Sequence, residues 1–199
     1  MNARSAHPYV GDLFAPAPLT VFDDAEGGMR YWPDVVDPAT AARWFDALRE
    51  GAHWKHERRP MYDRIVDVPR LRAGYRLDDL PPQLPLADML ALVQARVPAP
   101  YTGVGMNFYR DGRDSVAMHH DKLHTLVPGQ PIALVSLGGT RRMHIRALHG
   151  RRRTFALDLA PGSLLVMSHA SQLTHEHGIP KTDAAVAPRM SVVFRARPD

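Results

Sequence analysis

Met118-His119-His120-Asp121-Lys122 places an imidazole and a carboxylate two residues apart. On an extended strand that spacing turns His119 and Asp121 to one face and His120 to the other. Two histidines and a carboxylate would hold a non-haem iron(II) and leave three adjacent coordination positions open, as oxygen chemistry requires. The second histidine must come from a distant strand. His177, followed by Gly178, Ile179 and Pro180, is far enough downstream for the chain to cross a sandwich and return. His175 is a rival, two residues away on the same strand face. With 11 histidines in the chain, hydrogen-bonded or solvated imidazoles are the plainer alternative. His120, His124 and His169 read as surface or substrate-side groups.

A second constellation lies downstream, in Arg189-Met190-Ser191-Val192-Val193-Phe194-Arg195. Its two arginines share one face of a strand. Facing a barrel interior, they would be costly to bury without anionic partners. Guanidinium groups bind carboxylates through paired, planar hydrogen bonds, so an inward arginine beside an iron site reads as a clamp for 2-oxoglutarate. The alternative is an exposed edge strand with both arginines in water.

The elements that must position these groups follow from the patterning. From Gly103 onward short apolar or alternating runs succeed one another at about 103–109, 115–121, 132–137, 142–148, 153–159, 163–168, 174–178 and 189–197. Gly, Pro or Arg-rich turns separate them, which predicts the strands of a two-sheet jelly roll. Two helices precede this set. Asp37 and Pro38 provide an N-cap and first helical position, Trp44, Phe45 and Leu48 an apolar face, and Gly51 a closing residue. The second helix is expected from Leu84 to Val97, where Leu86, Met89, Leu90, Val93 and Val97 recur at helical spacing before Pro98. Both helices are expected on one outer face of the jelly roll. The fold class is therefore α+β, mainly β. Residues 54–80 read as short strands and exposed turns, and the Pro-, Ala- and Gly-rich residues 1–30 as an extension lying across the domain of residues 31–199.

Composition narrows the chemistry further. At 199 residues, 45% hydrophobic and 23% charged, the chain suits one domain with a substantial core. It has no cysteine, so disulfides, thiolate metal sites and cysteine nucleophiles are excluded. No segment approaches the ~18 consecutive apolar residues of a membrane span, and no signal peptide is evident. The expectation is a cytoplasmic, monomeric protein without membrane contact. A net charge of +4 and a pI near 9.7 permit phosphate-rich partners without requiring them. Arg58-Arg59, Arg141-Arg142 and Arg151-Arg152-Arg153 are basic clusters that suit phosphates or solvated turns equally well.

Five motifs in order carry a family resemblance: Asn107-Phe108-Tyr109-Arg110-Asp111-Gly112, His119-x-Asp121, Gly162-Ser163-Leu164-Leu165-Val166-Met167, His177, and Arg189 to Arg195. Over about residues 54–197 the sequence resembles the AlkB-like 2-oxoglutarate-dependent dioxygenases, especially the branch acting on alkylated DNA. The resemblance implies a double-stranded β-helix (jelly-roll) core over 103–197, with helices and a substrate lid over 37–100. It implies Fe(II) held by His119, Asp121 and His177, O2 as oxidant, and 2-oxoglutarate contacted by Asn107, Tyr109, Arg189 and Arg195. It also implies oxidative demethylation of N-alkylated bases in DNA or RNA, with release of formaldehyde and succinate. The alternative is a same-fold hydroxylase acting on a small molecule, lipid or protein.

Departures from the family pattern concentrate on the substrate side. Ser191 and Val193 stand where the family usually has Asn and Thr, Leu123 replaces an acidic base-recognition residue, and His175 replaces a tryptophan. The aromatic-rich lid that usually follows the Pro-Arg segment is missing, and Tyr75 leads directly into a polar turn. Met61 and Tyr62 fall at the family's duplex-wedging finger. Substrate-side candidates are thus Met61, Tyr62, Arg70, Tyr75, His120, Leu123 and His175.

Overall fold

A computed structural model describes residues 17–61, 64–149 and 154–198, with only the backbone of residues 59–61, 64 and 65. In chain order the strands are β1 Leu19–Phe22, β2 Met29–Trp32, β3 Lys55–Met61, β4 Arg64–Arg76, β5 Gly103–Tyr109 and β6 Val116–His119. They continue with β7 Ile132–Gly138, β8 Arg141–Ala147, β9 Thr154–Leu159, β10 Ser163–Met167, β11 His175–Ile179 and β12 Arg189–Arg195. The helices are α1 Pro38–Gly51, α2 Leu86–Arg96 and the one-turn α3 Ser171–Thr174.

Strands pair into an eight-stranded sheet, β1-β2-β10-β7-β12-β5-β4-β3, and a four-stranded sheet, β6-β11-β8-β9. Two apolar layers follow from side-chain alternation along the large sheet. Met190, Val192 and Phe194 of β12 pack with Phe45, Leu48, Met89 and Val93 of the helices. Val193, with Tyr109, Leu134 and Leu165, instead meets Met143, Ile145 and Leu159 of the small sheet. The fold is the expected jelly roll with both helices on one outer face. Asp37 caps α1 by accepting from Thr40 N–H at 2.9 Å. Gly51 ends α1 as expected, and its missing side chain matters, because a Cβ there would stand 2.9 Å from Leu84.

Two regions differ from the sequence reading. Residues 54–80 are dominated by one long hairpin, β3–β4, which extends the large sheet through β5. Its alternation was masked by charge, since Arg72–Glu57 and Arg58–Asp67 pair across the strands at 2.7 and 3.2 Å. Near the N-terminus, β1 and β2 form a hairpin that adds to the other end of the same sheet through β10. Asp24 builds its turn by accepting from the N–H groups of Glu26 and Gly28, both at 2.8 Å. Gly28 has φ +68°, and a Cβ there would collide with Phe22 O. Among the described residues no helix is long and apolar enough to cross a membrane.

Candidate active site

The face of the large sheet turned toward the small sheet carries most of the charged candidates. On β12 this face presents Arg189, Ser191, Val193 and Arg195, directly opposite Tyr109, Asn107, Gly105 and Gly103 of β5. Arg189 is 1% exposed, and its Nε donates to Ser136 Oγ at 3.0 Å. Its Nη2 has no partner. The Arg189 guanidinium lies 5.3 Å from the centroid of the Tyr109 ring. Burial, above all, pushes its pKa down to about 10, so it remains a cation at neutral pH. A buried cation with an unused donor fits an anionic ligand, and a carboxylate would satisfy both its charge and its free N–H groups.

Asn107 is shared. Its Oδ1 accepts from Arg70 Nε at 2.8 Å, and its Nδ2 donates to Ser191 Oγ at 3.3 Å. Arg70 also donates to Ser115 O at 3.1 Å, so this substrate-side candidate is bound into the barrel wall beside Asn107.

The histidines meet across the small sheet. β11 pairs with β6 so that His177 stands opposite His119, and their ring centroids are 4.6 Å apart. Gly178 permits this approach. A Cβ on it would fall 2.9 Å from Val116 O and 3.0 Å from Met118 N, so any larger residue would force β6 away. His177 is 7% exposed, and burial followed by the neighbouring His119 pushes its pKa down to about 3. It is a neutral imidazole at any physiological pH, the form a metal binds. His119 Nδ1 lies 2.9 Å from Ala117 O, which as a donor contact leaves the Nε2 lone pair free.

Asp121 departs from its expected position on a strand. β6 ends at His119, and Asp121 occupies the loop before a 3-10 turn at Leu123–Thr125. Its Oδ2 accepts from Arg195 Nε at 2.7 Å. Burial works to raise the Asp121 pKa, but Arg195, His177 and His119 outweigh it and hold the carboxyl below its usual range. Arg195 therefore engages Asp121 itself. As placed, no three His, Asp or Glu groups among the described residues encircle a single point at ligating distance. The donor chemistry nonetheless suits iron(II): two imidazoles face each other, one of them neutral and the other with a ring nitrogen against a carbonyl, and the Asp121 carboxyl is held ionised chiefly by Arg195.

His175, the rival ligand, is occupied elsewhere. Its ring stacks on Phe22 with centroids 3.8 Å apart and planes 14° from parallel, and Phe155 approaches at 6.5 Å. His120 is exposed, and Leu123 is half-buried at the start of the 3-10 turn. Tyr75 is half-buried and lines an open cavity near the site. It stands opposite Val104, so alternation turns its ring to the helix-side core, where its hydroxyl accepts from His53 N–H at 2.9 Å. Met61 closes β3, but its side chain and Tyr62 lie outside the described residues, as do Arg151, Arg152 and Arg153. Arg141 also corrects the surface reading. It is 3% exposed and donates to the carbonyls of Asp111, Asp114 and Pro180.

Sequence reasoning missed an open cavity of about 500 Å³ beside the site, lined among others by Lys55, Glu57, Arg72, Gly103, Gly105 and Arg197. Gly105 lies beside the interior residue Arg195, whose Nη1 a Cβ there would touch at 3.5 Å. The period-two order of Arg70, Arg72, Gly74 and Arg76 was the available signal.

Human DNA oxidative demethylase ALKBH2 is 36% identical over 97 residues, which make up 45% of this chain and 37% of that protein. The mouse ALKBH2 match reaches 37% identity over 56% of this chain and 51% of that protein. The chain thus spans about half or less of the length of these relatives. Mouse alpha-ketoglutarate-dependent dioxygenase alkB homolog 3 is 28% identical over 82% of this chain and 64% of that protein. Among solved structures, OsALKBH1 superposes with a TM-score of 0.64 at 14% identity, covering 90% of this chain and 100% of that one. An oxidoreductase of the 2OG-Fe(II) oxygenase family from Burkholderia pseudomallei gives 0.57 at 16% identity, covering 84% of each chain. These two likenesses speak to the fold alone. Residues 28–195 match the profile of the 2OG-Fe(II) oxygenase superfamily, and the chain belongs to that family.

Proposed function

We propose that the chain is an Fe(II)- and 2-oxoglutarate-dependent dioxygenase that demethylates N-alkylated bases of DNA or RNA, acting as a cytoplasmic monomer. The observation that carries this reading is Arg189, a fully buried cation with an unused Nη2, on the same strand face as the Arg195–Asp121 pair. His119, Asp121 and His177 hold the metal in this reading, and Arg189 binds the distal carboxylate of 2-oxoglutarate. Tyr109 and Asn107 line the same face and complete the cosubstrate wall. The relatives named for DNA demethylation support the substrate class.

When bound, the metal with O2 and 2-oxoglutarate supplies the oxidising power that hydroxylates an N-methyl group, with succinate and carbon dioxide as coproducts. The resulting N-hydroxymethyl group loses formaldehyde and restores the base. The chain's own groups prepare this chemistry. Burial keeps His177 unprotonated, Ala117 O orients His119, and Arg195 keeps Asp121 ionised. Leu134, Leu165 and Val193 exclude water from the interior behind the site.

Purified protein with iron(II), ascorbate and 2-oxoglutarate is expected to release formaldehyde from oligonucleotides carrying 1-methyladenine or 3-methylcytosine. Absence of formaldehyde from both would refute the demethylase reading. Leu123 favours a second reading, because an apolar side chain two residues after Asp121 offers no charge to a cationic alkylated base. A same-fold hydroxylase acting on a small molecule, lipid or protein would then be expected. Its signature is succinate formation driven by a metabolite fraction and not by methylated DNA.

A further inference from the structure

Of the three groups assigned to the metal, Asp121 alone lies outside a strand. No sheet ladder fixes its backbone. Its N–H instead donates to Gln172 Oε1 at 2.9 Å, and Gln172, on α3, is 2% exposed. The other end of the same amide donates from Nε2 to Ser171 Oγ at 3.0 Å. Using the oxygen as acceptor and the nitrogen as donor fixes the amide's orientation, because a flipped group would set N–H against N–H.

The series continues without a gap. Ser171 Oγ donates to Ser168 O at 2.6 Å, and Ser171 N–H donates to Ser168 Oγ at 2.9 Å. Ser168 Oγ donates in turn to Asp24 Oδ2 at 2.5 Å. Asp24 is the residue that builds the β1–β2 turn. Ser168, Ser171 and Gln172 are all buried, so these bonds lie away from competing water. The hairpin is pinned a second time where Phe22 stacks on His175, two residues before His177.

We propose that Gln172 is a positioning residue that sets the Asp121 carboxylate for iron(II), and that Ser171, Ser168 and Asp24 anchor it to the β1–β2 hairpin. The proposal rests on the assignment of Asp121 as a ligand. Arg195 restrains the carboxylate from one side, and Gln172 restrains the backbone that carries it. Partners of this outer kind typically change metal affinity by ~10–100-fold when removed.

The test is a cobalt(II) titration of the full chain, with and without 2-oxoglutarate, read by visible absorption, with thermal melting of the metal-free proteins as a folding control. Q172L matches the size of glutamine but offers no acceptor to the Asp121 N–H. Q172L is expected to weaken cobalt binding about tenfold and alter the ligand-field spectrum. Parent-like affinity and spectrum in folded Q172L would overturn the proposal. Should Q172L fail to fold, S171A carries the test: weaker binding with an altered spectrum supports the relay, and parent-like behaviour overturns it. H119A separates the underlying assumption. Parent-like cobalt binding by H119A would refute the metal-site reading itself, whereas its loss alongside parent-like Q172L refutes the role of Gln172 alone.

Discussion

Arg189 and Arg72 occupy the same face of the large sheet, one on β12 and the other on β4, yet their surroundings are opposite. Arg189 is sealed between the sheets with Nη2 unpaired, whereas the Arg72 side chain is 37% exposed and already bound to Glu57 at 2.7 Å. A buried cation without an anion is costly, so its retention points to a ligand that completes it. A surface pair is inexpensive and says little about function. The interior half of the site is consequently built to receive an anion, while the open half around β3–β5 carries a cation already neutralised by its own neighbour.

Substitutions on the two halves should diverge. His177→Ala has the largest expected effect: iron affinity should fall more than about 100-fold, beyond what outer partners cost, and turnover should vanish. Retained iron binding in a dialysis assay would remove the interior half from the comparison. Arg189→Met comes next. Loss of a buried charge partner is worth about 3–5 kcal/mol, so the 2-oxoglutarate KM should rise at least ~100-fold. Thermal stability of the ligand-free protein should hold or improve, because an unpartnered buried cation has gone. A fall in stability without a change in KM would make Arg189 a structural residue.

Gly178→Ala tests the strand contact that joins the two histidines. The clash with Val116 O should cost about 1–3 kcal/mol of stability and weaken iron binding together. A melting curve and metal titration matching the parent would show that β6 can shift without consequence. Arg72→Ala, on the open half, should alter stability by less than about 1 kcal/mol and leave the 2-oxoglutarate KM unchanged. Any effect should appear in the KM for the alkylated oligonucleotide, and a change in the 2-oxoglutarate KM would erase the distinction between the halves.

The parts legible in the sequence were those whose signal is local. Strands from Gly103 to Arg195 alternate or run apolar between turn residues, and Asp37-Pro38 writes the start of α1 into adjacent positions. The inward face of β12 was readable because Arg189 and Arg195 punctuate an apolar run at an even spacing. Long-range pairings were not readable. The β3–β4 hairpin is held partly by ion pairs between residues that each look solvated, and Arg141 is buried only because three distant carbonyls converge on it. The packing of Tyr75 on the helix-side core depends on its register with β5. Asp121 was expected on a strand, and Gln172 carried no signal, since its partner is a backbone N–H from another part of the chain.

The measurement closest to the central claim is an anaerobic iron(II) titration in the presence of 2-oxoglutarate, followed by visible absorption. A charge-transfer band should grow to one equivalent of iron, disappear in His177→Ala, and require far more 2-oxoglutarate in Arg189→Met. Absence of the band, or an identical band in all three proteins, would contradict the assignment of this interior as an Fe(II)/2-oxoglutarate centre.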